Sequence, residues 1–309
     1  MLIFPATDGL SYFFSDADNL VKGDTNGVRD VFLHDLQTGE TTRISVGMFG
    51  LEANGPSSIA SISGDGRYVA FESEANNLVV GDTNDVEDIF VHDLQTGEII
   101  RVSVLSGGAQ RNSASEFPSI SADGRFVAFH TPSQILVHNR MLIETTMVSV
   151  SSDGTPGDEV SRYPVISGDG RFVAFESRAE NLVSNDLKDY DDVFLHDRLT
   201  RETTLISVPF DGNLGKPFSG LPSISANGRY ISYSIFINGV KRVFVHDRLT
   251  HEITEGTIAS DGTPANNASD MSGLSADGRY LVFDSAASNL TGDDTDGLID
   301  IFVHDLGAD

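Results

Sequence analysis

Ile62-Ser63-Gly64-Asp65-Gly66-Arg67-Tyr68-Val69-Ala70-Phe71 and, further on, Asp88-Ile89-Phe90-Val91-His92-Asp93-Leu94 are the stretches that decide the fold. Short apolar runs rich in β-branched and aromatic residues, bounded by Gly, Asp and Ser, read as strands. Asp65-Gly66 is a tight hairpin of the kind that needs a positive φ. The unit reads as strand A at Ser58–Ser63, strand B at Arg67–Glu72, strand C at Asp88–Leu94, a turn at Gln95-Thr96-Gly97-Glu98, and strand D at Ile99–Val104.

Outward from this unit the pattern recurs along the whole chain. Hairpins stand at Asp8-Gly9, Asp65-Gly66, Asp123-Gly124, Asp169-Gly170, Asn227-Gly228 and Asp277-Gly278, alternating with His34, His92, His138, His196, His246 and His304. Four-strand units repeating about every 50 residues are the signature of propeller blades. From each His to the next hairpin the interval is 31 residues, so strand C, the C-D turn, strand D and the run into the next strand A have one length. From hairpin to His it is 26, 27, 15, 27, 19 and 27, so the B-C loop carries the variation, and blades 1, 2, 4 and 6 hold an insertion that blades 3 and 5 lack. The expectation is an all-β, six-bladed β-propeller of four-stranded antiparallel blades, one domain over 1–309, with blades at about 1–46, 56–104, 114–150, 160–208, 218–258 and 268–309.

The segments 62–71 and 88–94 resemble the WD40-like (PD40) repeat of TolB-type propellers, and the resemblance covers essentially the whole chain. It implies a bacterial protein, often exported to the periplasm or beyond, used mainly for protein or ligand binding, with only some relatives being enzymes. At the ends the pattern changes: between His304 and Asp8, around the ring, there are twelve residues where every other junction has thirty. The expectation is a trimmed or processed chain whose last blade lacks its outer strand, leaving Ile301 to Leu306 as an open edge able to recruit another strand. Met1-Leu2-Ile3-Phe4-Pro5 is too short for a signal peptide, and no apolar run is long enough to span a membrane.

The B-C insertions carry the first candidate site. Asn19 to Asp30 recurs as Asn77 to Asp88 and Asn289 to Asp300, and more loosely as Asn181 to Asp192. Asp24, Asn26 and Asp30, then Asp82, Asn84 and Asp88, then Asp186 and Asp192, then Asp294, Asp296 and Asp300 place hard oxygen atoms on short loops, the chemistry calcium prefers. The competing expectation is that they make Asx turns and hold the first N–H groups of strand C. A second candidate is the start of strand A, where the repeat breaks into Ser58, Glu116, Arg162, Gly220 and Asp270; Glu116, Arg162 and Asp270 are the ligand-binding candidates. The six repeated His lie on strand C, too far out to converge on one metal, so a structural His-Asp hydrogen bond is expected. His130 and His251 occur once each and show no evident partner.

Composition narrows the function. Asp and Glu outnumber Lys and Arg by 46 to 20, a formal charge of -26, which repels phosphate backbones and disfavours nucleic acid. There is no cysteine, hence no disulfide, thiolate site or cysteine nucleophile. No nucleophile elbow, His-Glu-x-x-His or Walker loop occurs. The leading expectation is a non-enzymatic binding or scaffold propeller, stiffened by calcium. The alternatives are a hydrolase or lyase acting on a polysaccharide or small ester through Arg111, Glu116, Arg162 and Asp270, and a sensor or interaction domain excised from a larger exported protein.

Overall fold

The structure, a computed structural model, describes residues 9–184, 186, 190–207, 219–237, 239–292, 294 and 297–307. Its fold is the six-bladed β-propeller read from the repeats, built of small antiparallel sheets in which consecutive strands pair in order. The chain divides into two compact units, Met1–Val148 and Ser149–Asp309.

The first unit holds three blades: β1 (Leu10–Ser15), β2 (Asp30–Asp35) and β3 (Thr41–Arg43); β4 (Ser57–Ile62), β5 (Tyr68–Ser73), β6 (Asp88–Asp93) and β7 (Glu98–Arg101); β8 (Glu116–Ile120), β9 (Phe126–His130), β10 (Ile135–Asn139) and β11 (Glu144–Met147). Strand A of blade 1 is expected within residues 1–8, outside the described residues. The second unit holds β12 (Ser161–Ile166), β13 (Phe172–Ser177), β14 (Asp192–Asp197) and β15 (Glu202–Leu205); β16 (Ser219–Ile224), β17 (Tyr230–Ile237), β18 (Val240–Asp247) and β19 (Ile253–Glu255); and a last sheet of three strands, β20 (Ser269–Leu274), β21 (Tyr280–Ser285) and β22 (Asp300–Asp305). No helix is long and apolar enough to cross a membrane among the described residues.

The core lies between successive blades, because each sheet is apolar on both faces. In the first unit Val31 and Ile44 of blade 1 pack with Val69, Phe71 and Phe90 of blade 2, while Ile89 and Val91 on the other face of β6 pack with Ile120, Val127 and Phe129 of blade 3. In the second unit Leu195 and Ile206 meet Ile231 and Tyr233, and Val243 and Val245 meet Leu281 and Phe283. The A-B hairpin repeats in detail. Gly66 at φ 72 donates its N–H to Ser63, and Asp65 accepts from the Ser63 hydroxyl and the Arg67 N–H.

Two features behind the repeat differ from a His-Asp pair. The repeated Asp is gripped instead by the hairpin Arg: Arg67 forks onto Asp93 at 2.9 and 2.6 Å, and Arg171–Asp197, Arg229–Asp247 and Arg279–Asp305 do the same. The His ties its blade to the preceding strand D. His92, His246 and His304 each place Nδ1 on a carbonyl of the preceding blade, that of Ile44, Ile206 and Gly256. Where Thr stands opposite on strand D, the bond is relayed: His138 Nδ1 meets Thr145 Oγ1, whose hydroxyl donates to Val104 O at 2.6 Å. A hydroxyl whose proton is committed must accept from the ring, which fixes His138 as the Nδ1–H tautomer. Burial holds His138 and His196 neutral, with pKa values pushed down to about 4.

Candidate functional site

Each B-C loop ends where strand C begins, and there one relay recurs. The N–H of Val31 donates to Ser45 Oγ at 3.0 Å, and that hydroxyl donates to Asp30 Oδ1 at 2.5 Å. Ile89, Ser103 and Asp88 repeat it, as do Val193, Ser207 and Asp192. This places a buried carboxylate at the head of strand C for a structural reason. Its second oxygen meets a loop amide: Asn26 Nδ2 donates to Asp30 at 2.8 Å and Asn84 Nδ2 to Asp88 at 2.9 Å, while the same amides reach Ala53 O and Arg111 O on the D-A connection.

What neutralises these carboxylates differs by blade. In blade 1 the guanidinium of Arg43 lies 2.9 Å from Asp24, 3.3 Å from Asp30 and 2.9 Å from Glu52. In blade 2 Arg101 lies 2.9 Å from Asp82 and 3.4 Å from Asp88. In blade 5 the signs are exchanged: Arg242, four residues before His246 on β18, pairs with Glu255 on strand D at 3.0 Å. In blade 4 the strand D position is Leu205. There burial, with repulsion from Asp186 added, pushes Asp192 up to about 7. In blade 6 both oxygens of Asp294 are shielded from solvent without a hydrogen-bond partner among the described residues. Asp300 is exposed, and Asp296 lies outside the described residues. Among the described residues no group of three or more His, Asp or Glu is placed to hold a metal ion.

The start of strand A is the second site, and the structure enlarges it. Strand A carries a bulge here: its register against strand B shifts just past Ser58, Glu116, Arg162, Gly220 and Asp270. In four blades the next residue, Phe117, Tyr163, Leu221 or Met271, takes a positive φ rare for bulky side chains. Two further variable positions face the bulge: the residue seven after each hairpin, on strand B, and the residue just before strand C.

In the first unit this polar band is acidic. Ser58 donates to Glu72 at 2.7 Å, the N–H of Phe117 donates to the other oxygen of Glu72 at 2.9 Å, and Glu116 lies 3.2 Å from His130 Nε2. His130 also stacks on Phe117, so it has partners that the sequence did not reveal. Burial and the charges of Glu72, Glu116 and Glu74 push Glu87 up to about 8. Burial likewise raises Glu72.

In the second unit the band is compensated. Arg162 bridges Glu176 at 2.7 Å and Asp191 at 3.0 Å, Arg178 reaches Asp191 at 3.1 Å, and Lys241 lies 2.5 Å from Asp270. Gly220 leaves the room that the Glu176 carboxylate occupies, since a Cβ there would displace it. Arg162 and Asp270 are thus each engaged in a separate ion network. Arg111 supplies its carbonyl to the blade 2 loop, and burial lowers the pKa of its guanidinium. His251 sits edge-on to His246. Glu72, Glu87 and Glu176 escaped the sequence reading, although the same comparison that exposed strand A would have found them one strand over.

No protein-family model and no curated protein matches the sequence. Solved structures do. TolB from Acinetobacter baumannii aligns with TM-score 0.56 and 14% identity over 93% of this chain, which spans 63% of that protein. An oligogalacturonate lyase in complex with manganese aligns with TM-score 0.55 and 12% identity, over 91% of this chain and 77% of that one. A puromycin-hydrolyzing peptidase of Mycobacterium tuberculosis aligns with TM-score 0.58 and 13% identity, over 99% of this chain but 45% of that one. Identities this low establish the fold, and the TolB-type resemblance of the repeats holds at that level.

Proposed function

We propose that this chain is a non-enzymatic binding propeller that engages a basic group of its partner at the acidic band of the first unit. One contrast carries the reading: the second unit answers its band carboxylates with Arg162, Arg178 and Lys241, whereas among the described residues Glu72, Glu87 and Glu116 of the first unit form no ion pair with a lysine or arginine, and Glu116 meets the imidazole of His130. A carboxyl held protonated by its neighbours is a latent cation site, since a bound cation favours its ionised form. Arg162 and Asp270, two of the residues weighed as catalytic, are tied up in ion pairs, which supports binding over turnover. Export remains part of the proposal through the TolB-type resemblance.

Calcium fits blades 1 and 2 poorly, because the guanidinium of Arg43 or Arg101 already stands among the carboxylates a cation would need. We propose arginine as their stabiliser; in blade 4 the same strand D position is Leu205, so among the described residues no strand D guanidinium competes there with a divalent ion.

Calorimetric titration with a capped hexalysine peptide tests the binding site. Binding should release a proton near pH 7, tighten as pH rises toward 8, and weaken about tenfold in a Glu87→Gln, Glu116→Gln variant. Binding that is indifferent to both substitutions refutes the site. Turnover of oligogalacturonate or of a chromogenic ester, abolished by Glu116→Gln or Arg162→Gln, refutes the non-enzymatic reading.

A further inference from the structure

Blades 2 and 4 hold two carboxylates in the same frame beside the strand A bulge. In blade 4 Arg162 on β12 stands opposite Glu176 on β13, and Asp191 immediately precedes β14; in blade 2 the same places hold Ser58 on β4, Glu72 on β5 and Glu87 before β6. Both strand B carboxylates accept a backbone N–H from strand A of the following blade, that of Phe117 for Glu72 and that of Leu221 for Glu176. The backbone therefore positions the two acids alike in both blades.

What stands between the acids differs. In blade 4 the guanidinium of Arg162 bridges them, Nε 2.7 Å from Glu176 and Nη2 3.0 Å from Asp191, and Arg178 adds a second cation 3.1 Å from Asp191. Blade 2 has Ser58 in the place of Arg162 and Glu74 in the place of Arg178, and blade 3 brings Glu116 to it where blade 5 brings Gly220 to blade 4. The framing carboxylates stay while the cations beside them are lost and further acids are gained. The side chain of Ser58 ends at Oγ, 2.7 Å from Glu72, short of where the guanidinium of Arg162 lies. The charges acting on Glu87 are those of Glu72, Glu116 and Glu74, all of one sign. Blade 4 thus displays, within this chain, the group that the frame of blade 2 accepts.

We propose that blade 2 binds the side chain of an arginine from a partner polypeptide, its guanidinium bridging Glu72 and Glu87 as that of Arg162 bridges Glu176 and Asp191, with Glu116 beside it as a third acceptor. This rests on the acidic band as the binding surface and names the group that the band selects. An ammonium is a compact point charge, whereas the planar fork of a guanidinium presents donors to two carboxylates at once, which is the arrangement of blade 4. Selection between basic side chains follows from that geometry and not from charge alone.

The test titrates the whole chain at about pH 8 with capped, fluorescently labelled hexa-arginine and hexalysine peptides. Hexa-arginine should bind about tenfold tighter, and the preference should shrink to about twofold in Glu87→Gln, which leaves the fork one framing carboxylate. Ser58→Arg gives blade 2 the cation of blade 4; it should weaken hexa-arginine binding about tenfold and raise the melting temperature by about 2 °C. Ser58→Met, which adds bulk without charge, should bring no such rise. Equal affinities for the two peptides overturn guanidinium selection and leave the acidic band standing as a cation site, whereas binding of neither peptide up to about 1 mM overturns both. A preference that survives Glu87→Gln in full, or hexa-arginine binding unchanged in folded Ser58→Arg, places the peptide elsewhere and overturns the proposal. Because the first comparison changes only the peptide, a variant that fails to fold cannot mask the answer.

Discussion

Replacing Asp192 by Asn should stabilise the fold at neutral pH, although Asp192 accepts a buried hydrogen bond. Blade 4 keeps the carboxylates of blades 1 and 2 but has Leu205 where they have arginine. Burial and Asp186 together lift Asp192 from 3.8 to about 7. The folded state therefore holds this proton to higher pH than the unfolded chain does. The group's contribution is intact below about pH 4, is lost progressively as pH rises to about 7, and is level above that. At about 1.36 kcal/mol per unit, the loss approaches ~4 kcal/mol.

Asparagine removes the titration yet keeps the relay, since its carbonyl oxygen still accepts the Ser207 hydroxyl and its amide can donate to Asp186. We expect Asp192→Asn to exceed the parent by about 2 kcal/mol at pH 8 and to match it near pH 4. Urea unfolding at unit steps from pH 4 to pH 8 measures this directly. Leu205→Arg should reach the same end by a different neutraliser, with the carboxylate kept ionised. Millimolar calcium, if blade 4 takes it, should raise the melting temperature of the parent at pH 8 and do nothing for Asp192→Asn. One shared pH profile for parent and Asp192→Asn would show that this carboxyl pair does not strain the blade.

Two further substitutions probe the ion pairs. Arg101→Leu leaves Asp82 and Asp88 buried without their cation and should cost about 3 kcal/mol, whereas Arg67→Leu, whose guanidinium is a third exposed, should cost about 1 kcal/mol; equal losses in urea melts would contradict the assignment of Arg101 as the loop's stabiliser. Glu87→Gln should flatten the part of the stability profile that falls between about pH 4.5 and pH 8, because the raised carboxyl favours folding only while protonated; an unchanged slope in that window would mean that Glu87 is not perturbed.

The fold was legible because its signals are local. Asp65-Gly66 dictates its own turn, and a constant 31-residue interval survives any error in strand boundaries. The sites were less legible because their partners lie across strands. Asp93 was read against its chain neighbour His92, yet its partner Arg67 is 26 residues away and adjacent only through the β5–β6 register. The loop sequence from Asp24 to Asp30 says nothing of Arg43, which reaches both carboxylates from across the C-D turn. The information was present nonetheless: nine residues after each His stand Arg43, Arg101, Met147, Leu205 and Glu255, against Asp30, Asp88, Gln134, Asp192 and Arg242 four residues before it. The bulge residues Phe117, Tyr163, Leu221 and Met271 gave no such hint, because no Gly or Asn marks their positive φ.

That pairing of positions bears on what the acidic loops are for in most blades. A metal site repeated around a propeller would keep oxygen ligands, charged or neutral, because a cationic guanidinium cannot take the place of one. A structural ion pair keeps only the balance of charge, so exchanging both members leaves it intact. Blade 5 makes that exchange, with Arg242 and Glu255 in the places of Asp30 and Arg43, and keeps the hydroxyl of the relay as Thr257, which accepts the Val243 N–H at 3.3 Å. Blade 3 drops both charges, with Gln134 and Met147, and keeps Ser149. The constant element is therefore the hydroxyl that holds the first turn of the C-D ladder, and the acid beside it is acceptable wherever something neutralises it. In blade 4 the strand D position opposite the acid is Leu205, and there a proton on Asp192 supplies the balance.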